Sequence, residues 1–142
     1  MRRSLTITPV PGAAAADALP RIVAFVEEMA ELDDWAPDLV LKSNLILEEL
    51  ILNTLTHGRT SGLSDIEITL ESGEHSVQIT VVDDGAAFDP LNGKPPPDTD
   101  VPLQERAIGG LGLHLVRSMA EDLAYRHADG KNHLTLVARA GA

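Results

Sequence analysis

The chain has 142 residues, 44% of them hydrophobic and 23% charged, which suits one globular domain and excludes a disordered or fibrous protein. Eleven Lys and Arg against 22 Asp and Glu leave a net charge of −11, so nucleic-acid backbones and anionic membranes are unfavourable partners. With no cysteine there is no disulfide, thiol nucleophile or thiolate metal site. Phe25, Trp35, Phe88 and Tyr125 are too few to build an aromatic platform for single strands.

No apolar run reaches the ~18 residues a membrane span needs. Met1-Arg2-Arg3-Ser4 is basic, but the alternation that follows and Pro9 and Pro11 do not make a signal peptide. A soluble cytoplasmic protein is the expectation. Leu5 and Ile7 alternate with polar neighbours, which predicts a short strand over Ser4 to Thr8. Leu19, Ile22, Val23, Val26 and Met29 recur at helical spacing within Ala13 to Leu32, with Pro20 in the first turn. Asp33 to Pro37 reads as a turn. Asp38 to His57 reads as a second, strongly apolar helix that Gly58 stops.

Ile66 to Glu71 and Val77 to Val82 predict a hairpin turning at Ser72-Gly73-Glu74. From Asp83 to Gly112 no regular element is predicted, and the stretch holds Pro90, Pro95-Pro96-Pro97 and Pro102. A loop of that length in one domain points to a functional lid, placed at about 89–109. Gly112 to Glu121 reads as a helix. Leu123 to His127 and His133 to Val137 close the chain as a hairpin around Asp129-Gly130-Lys131. Hairpin-linked strands with helices grouped between them predict an α+β fold, a two-layer sandwich with a mixed, mostly antiparallel sheet and helices on one face.

Three features carry chemistry. Glu49, Asn53 and His57 are four apart, so they form one polar stripe on a helix whose Leu45, Ile46, Leu50, Leu52 and Leu55 are apolar. A carboxylate among such neighbours costs several kcal/mol unless it is paired or lines a site; the alternative is a solvated face with Glu48 and Glu49 in water. Asp83 shares the parity of Val77, Ile79 and Val81, so it points inward at the strand's end if theirs is the core face. Asp84 then points outward, and Gly85 permits a sharp turn and close approach by a ligand; the alternative is an Asp-Asp-Gly turn that only ends the strand. Gly109-Gly110-Leu111-Gly112 opens a helix, where clustered glycines expose N–H groups to phosphate oxygens. No Gly-Lys-Ser/Thr follows, and Leu115 stands where a dinucleotide fingerprint has its third glycine. His75, His114, His127 and His133 show no metal-like clustering.

The order of these features resembles the ATP-binding fold shared by gyrase, Hsp90, histidine kinases and the mismatch-repair protein MutL. Within it the chain is most similar to the small anti-sigma-factor serine/threonine kinases. Glu49 to His57 resembles the family's Glu-x-x-x-Asn-x-x-x-His box. Asp83-Asp84-Gly85-Ala86-Ala87-Phe88-Asp89-Pro90 resembles its Asp-x-Gly-x-Gly-Phe-Asp-Pro box, with Ala87 in place of the second glycine. Gly109-Gly110-Leu111-Gly112-Leu113-His114-Leu115-Val116 resembles its last glycine box, and Asn132-His133-Leu134-Thr135-Leu136 its final strand.

The resemblance implies roles. Glu49 would be the general base toward an attacking hydroxyl, and Asn53 a neutral ligand of Mg²⁺ among triphosphate oxygens. Asp83 would accept from the adenine amino group, with Gly85 and Phe88 beside the nucleotide and His57 structural or in contact with it. Gly109, Gly110, Leu111, Gly112 and Leu113 would contact ATP, Gly110 and Gly112 cradling its phosphates. Lys94 and Arg106 are candidate cations in the lid. The implied function is phosphorylation of a small antagonist protein of the sulfate-transporter/anti-sigma-antagonist (STAS) fold, with a switch to a sigma factor or other output protein, by one domain covering residues 1–142. A homodimer through the first strand and first helix is implied too. The alternative is a partner-switching module of the same fold that binds ATP weakly or not at all and transfers nothing, toward which Ala87 points.

Overall fold

Alternation along the strands sorts their side chains onto two faces, and among the described residues the two long helices pack on one of them. The computed structural model describes residues 1–10, 14–58, 63–85 and 116–141. In chain order they form strand β1 (Arg2–Ile7), a 3-10 turn (Ala15–Ala18), helix α1 (Leu19–Asp33), helix α2 (Pro37–Gly58), and strands β2 (Ile66–Gly73), β3 (Ser76–Asp83), β4 (Ala120–Ala128) and β5 (Lys131–Arg139). The strands make one sheet in the order β1-β2-β3-β5-β4, with every pairing antiparallel. This is the expected α+β sandwich, without a parallel pair among the described strands.

The core lies between sheet and helices. Ile22, Phe25, Val26 and Met29 of α1 and Ile46, Leu47, Leu50 and Ile51 of α2 are buried with Ile68, Leu70, Ile79, Val81 and Leu136 of the sheet. Pro20 stands in the first turn of α1, and Asp34 ends the helix in a left-handed conformation (φ 51°), which a short polar side chain tolerates. Trp35, between the helices, packs against the core and donates its indole N–H to Ser72 Oγ at 3.0 Å. Two ties hold the start of α2 against the end of β5. Lys42 Nζ donates to the carbonyls of Arg139 (2.9 Å) and Gly141 (3.1 Å), and Asp38 accepts from the Gly141 N–H (2.7 Å).

Three boundaries differ from the sequence expectation. The first helix opens as a 3-10 turn and becomes α-helical only at Leu19. The β2–β3 turn is the two-residue Glu74-His75, with Gly73 paired to Ser76 and His75 at φ 56°. A Cβ at Gly73 would come within 2.9 Å of Ser76 Oγ, so glycine serves the close strand pairing there. The helix expected over Gly112 to Glu121 is helical at 116–119 within the described residues and gives way at Ala120 to β4. Pairing of Ala120 with Ala138 and of Glu121 with Val137 overrides the helical propensity of Met119-Ala120-Glu121. A bulge follows at once, with Asp122 at φ 53°. The closing turn, Asp129-Gly130, has φ values of 54° and 73°, as a two-residue hairpin loop requires.

Ile79, 1% exposed on the central strand β3, should carry a full core cost. Truncation by Ile79→Ala is expected to remove about 2–5 kcal/mol of stability, seen as a lower urea midpoint at an unchanged slope. A loss below ~1 kcal/mol would contradict this packing.

Candidate functional site

Helix α2 ends at Gly58 and β3 ends at Asp83. Only residues 59–65 separate Gly58, the last residue of α2, from Ile66, the first of β2, and Ile66 pairs directly with Asp83. Asp84 fastens this corner from the other side. Its Oδ1 accepts the backbone N–H groups of Ser64 (2.7 Å) and Asp65 (3.1 Å). Those two bonds, Ser64's first, hold its carboxyl below the usual carboxylate range.

Asp83 points toward the helices, as its parity with the buried Val77, Ile79 and Val81 requires. Its Oδ1 accepts the N–H of Gly85 at 3.0 Å, an Asx turn that bends the chain at the strand's end. The same oxygen accepts from Asn132 Nδ2 at 2.9 Å. No described residue donates to Asp83 Oδ2. Asn132, buried opposite Asp83 in β5, also reaches the Gly85 carbonyl at 3.4 Å, and Tyr125 of β4 donates its hydroxyl to Asn132 Oδ1. Sequence reasoning gave Asn132 no place in the site. The signal was available, because Asn132 shares the parity of Leu134 and Leu136 just as Asp83 shares that of Ile79 and Val81.

Glu49 and Asn53 stand one turn apart on α2, beside the buried Leu47, Leu50, Ile51 and Leu55. Glu49 is half-buried and Asn53 is 7% exposed. Glu49 Oε1 and Asn53 Nδ2 are shielded from solvent without a hydrogen-bond partner among the described residues. Burial first, and the neighbouring Glu48 charge second, raise the Glu49 carboxyl above the usual carboxylate range. Ser43 Oγ and Asn44 Oδ1, earlier on the same helix, are likewise without a partner among the described residues. What sets Glu49 and Asn53 apart is their place one turn from each other near the end of α2, where two polar atoms are compatible with a site that receives a polar ligand. His57 lies in the last turn of α2, and its side chain lies outside the described residues, as do Phe88, Ala87, the expected lid at 89–109 with Lys94 and Arg106, and the box Gly109, Gly110, Leu111, Gly112, Leu113.

No group of three or more His, Cys, Asp or Glu side chains among the described residues could hold a metal ion. One amide oxygen, from Asn53, beside one carboxylate is a donor set that fits an ion taking most of its ligands from phosphate and water, as Mg²⁺ does. No helix of the described residues is long and apolar enough to cross a membrane.

The family described as histidine kinase-like ATPase domain matches residues 12–138. The serine/threonine-protein kinase BtrW of Bordetella bronchiseptica is 34% identical over 129 residues, which cover 90% of this chain and 87% of that protein. The serine-protein kinase RsbW of Bacillus thuringiensis is 27% identical over 99 residues, covering 68% of this chain and 62% of RsbW. Among solved structures, the RsbU and RsbW domains of Rv1364c from Mycobacterium tuberculosis share the fold, with a TM-score of 0.59 at 17% identity over 96% of this chain and 32% of the longer one.

The strained carboxylate has a measurable consequence. With its pKa raised in the folded state, the stability tied to protonated Glu49 is complete below the ordinary carboxylate range and is lost as pH rises through the higher folded value. Glu49→Gln should therefore raise the melting temperature at pH 7 and give a smaller gain, or none, at pH 4. Equal shifts at both pH values would contradict the assignment.

Proposed function

The chain belongs to the histidine kinase-like ATPase family, and from that premise we propose that it is an ATP-dependent serine/threonine protein kinase. The observation that carries this reading is the Glu49/Asn53 pair, one turn apart on α2, whose Oε1 and Nδ2 are held out of water without a partner among the described residues. The relatives named as serine or serine/threonine protein kinases support the same reading.

The roles in this reading are those the family resemblance implies. Asp83, fixed by Gly85 and Asn132, presents Oδ2 to the amino group of adenine. The glycine box at 109–113 would bind the phosphates, as the sequence motif implies. Asn53 supplies one oxygen toward Mg²⁺, which when bound to the nucleotide screens the phosphate charge that the incoming hydroxyl must approach. Glu49 accepts the proton of the substrate's serine or threonine hydroxyl as that oxygen bonds to the γ-phosphorus and the bond to the ADP oxygen breaks. The raised carboxyl suits it to this exchange, since a base is most effective when its pKa lies nearer the working pH.

The substrate in this reading is a small antagonist protein of the STAS fold, whose phosphorylation decides whether the kinase binds it or a sigma factor or other output protein. The 142 residues act as one domain in the cytoplasm, as a homodimer, and bind neither nucleic acid nor membrane. Ala87 favours a second reading, in which the same surface switches partners without transfer, because alanine disfavours the positive φ open to the glycine it replaces.

One assay separates the two. Incubated with γ-labelled ATP, Mg²⁺ and a STAS-fold antagonist, the protein should pass label to a serine or threonine of that partner. Glu49→Gln should keep ATP affinity within about threefold and lower the transfer rate by about 10²-fold or more. Full transfer by the variant would remove Glu49 from the role of base, and no transfer by the wild-type protein, with ATP bound, would favour the partner-switching module.

A further inference from the structure

Behind Asp83 lies a part-buried polar relay, centred on the buried Asn132, that the proposed transfer does not use. Three groups in adjacent strands make it: Asp83 at the end of β3, Asn132 beside it in β5, and Tyr125 in β4. Their polarities admit one arrangement. An ionised carboxylate only accepts, so Asn132 must turn its Nδ2 toward Asp83. That leaves Asn132 Oδ1 facing Tyr125, whose hydroxyl must then donate. Tyr125, together with the Gly85 carbonyl that accepts from Nδ2 at 3.4 Å, favours the amide orientation that Asp83 needs, and Asn132 is 5% exposed. Asp83 Oδ1 ends with two donors, the Gly85 N–H at 3.0 Å and Asn132 Nδ2 at 2.9 Å. The two donors restrain the plane of the carboxylate, and among the described residues none donates to Oδ2, the oxygen that faces a ligand in this proposal.

We propose that Asn132, oriented by Tyr125, is a positioning residue that commits Asp83 to a ligand amino group and so sets the base selectivity of the nucleotide site. The inference rests on the nucleotide-binding role given to Asp83 above. A carboxylate with a fixed free oxygen rewards a base that presents an N–H donor, as adenine does through its 6-amino group. A base with a carbonyl at that position places acceptor against acceptor and leaves a buried polar group unpaired. Without the Asn132 donor the carboxylate can swing about its χ2 torsion. The adenine contact then weakens, whereas a 6-oxo base, which never made that bond, loses little.

The test is calorimetric titration of the full chain with Mg·ATP and with Mg·ITP, which differ at the 6-position of the base. Wild-type protein should prefer ATP by about tenfold or more. Asn132→Leu should lower that ratio about tenfold, chiefly through ATP. Asn132→Ser, which keeps a hydroxyl donor, should retain more of the ratio, and Tyr125→Phe should lower it a few-fold. Equal losses for both nucleotides, with the ratio unchanged, would overturn the proposal and leave Asn132 a structural residue. If Asn132→Leu gives no cooperative melt, the ratios of Asn132→Ser and Tyr125→Phe decide by the same criterion. Wild-type protein that binds neither nucleotide would overturn the nucleotide reading itself; wild-type binding with ratios that do not move in any variant would overturn this inference alone.

Discussion

The register of the central strands is the constraint from which the site follows. Ile66, Asp83 and Asn132 lie side by side across β2, β3 and β5. Because side chains alternate, this alignment sends Asp83 and Asn132 to the helix side together, and a slip of one residue would turn one of them to the open face. The hydrophobic partners of that register are buried without exception along β3, at Val77, Ile79 and Val81. The core therefore specifies where the polar pair stands. The hydrogen bonds among Asp83, Gly85 and Asn132 then decide what the pair can receive.

Helix α2 meets the opposite demand. Its N-terminal half is anchored to the end of β5 through Asp38 and Lys42, and its buried leucines and isoleucines fix its rotation over the sheet. That rotation leaves Glu49 and Asn53 where solvent does not reach Oε1 and Nδ2 and no described group pairs with them. A helix selected for stability alone would carry apolar residues there. Violations of local consistency of this kind, on an otherwise consistent element, are where function is expected. The proposed site would join the acceptor on the sheet, Asp83, to a carboxylate and an amide of α2 that have no partner at Oε1 and Nδ2 among the described residues.

Much of this was legible in the sequence because period and parity are strong signals. The two-residue period of Val77, Ile79 and Val81 placed Asp83 inward, and the spacing of Glu49 and Asn53 placed both on one helix face. What the sequence hid has physical reasons. The β2–β3 turn moved by one residue because Gly73 serves a close strand contact and does not form the turn. The helix before β4 ended early because cross-strand partners 18 and 16 positions away, at Ala138 and Val137, capture Ala120 and Glu121. Asn132 was legible as the start of the segment that resembles the family's final strand but was given no site role, although its parity with Leu134 and Leu136 marks it as inward. The glycine box, Phe88 and His57 were legible as motifs, and their side chains lie outside the described residues.

The central claim is that Asp83 and the α2 pair form one site for a magnesium nucleotide. Its most direct test is calorimetric titration of the purified protein with ATP, with and without Mg²⁺, beside the Asp83→Asn variant. The account predicts a single ATP site per chain whose affinity rises with Mg²⁺ and falls at least about tenfold in the variant. Absence of binding at millimolar ATP, or binding that neither Mg²⁺ nor Asp83→Asn alters, would contradict it.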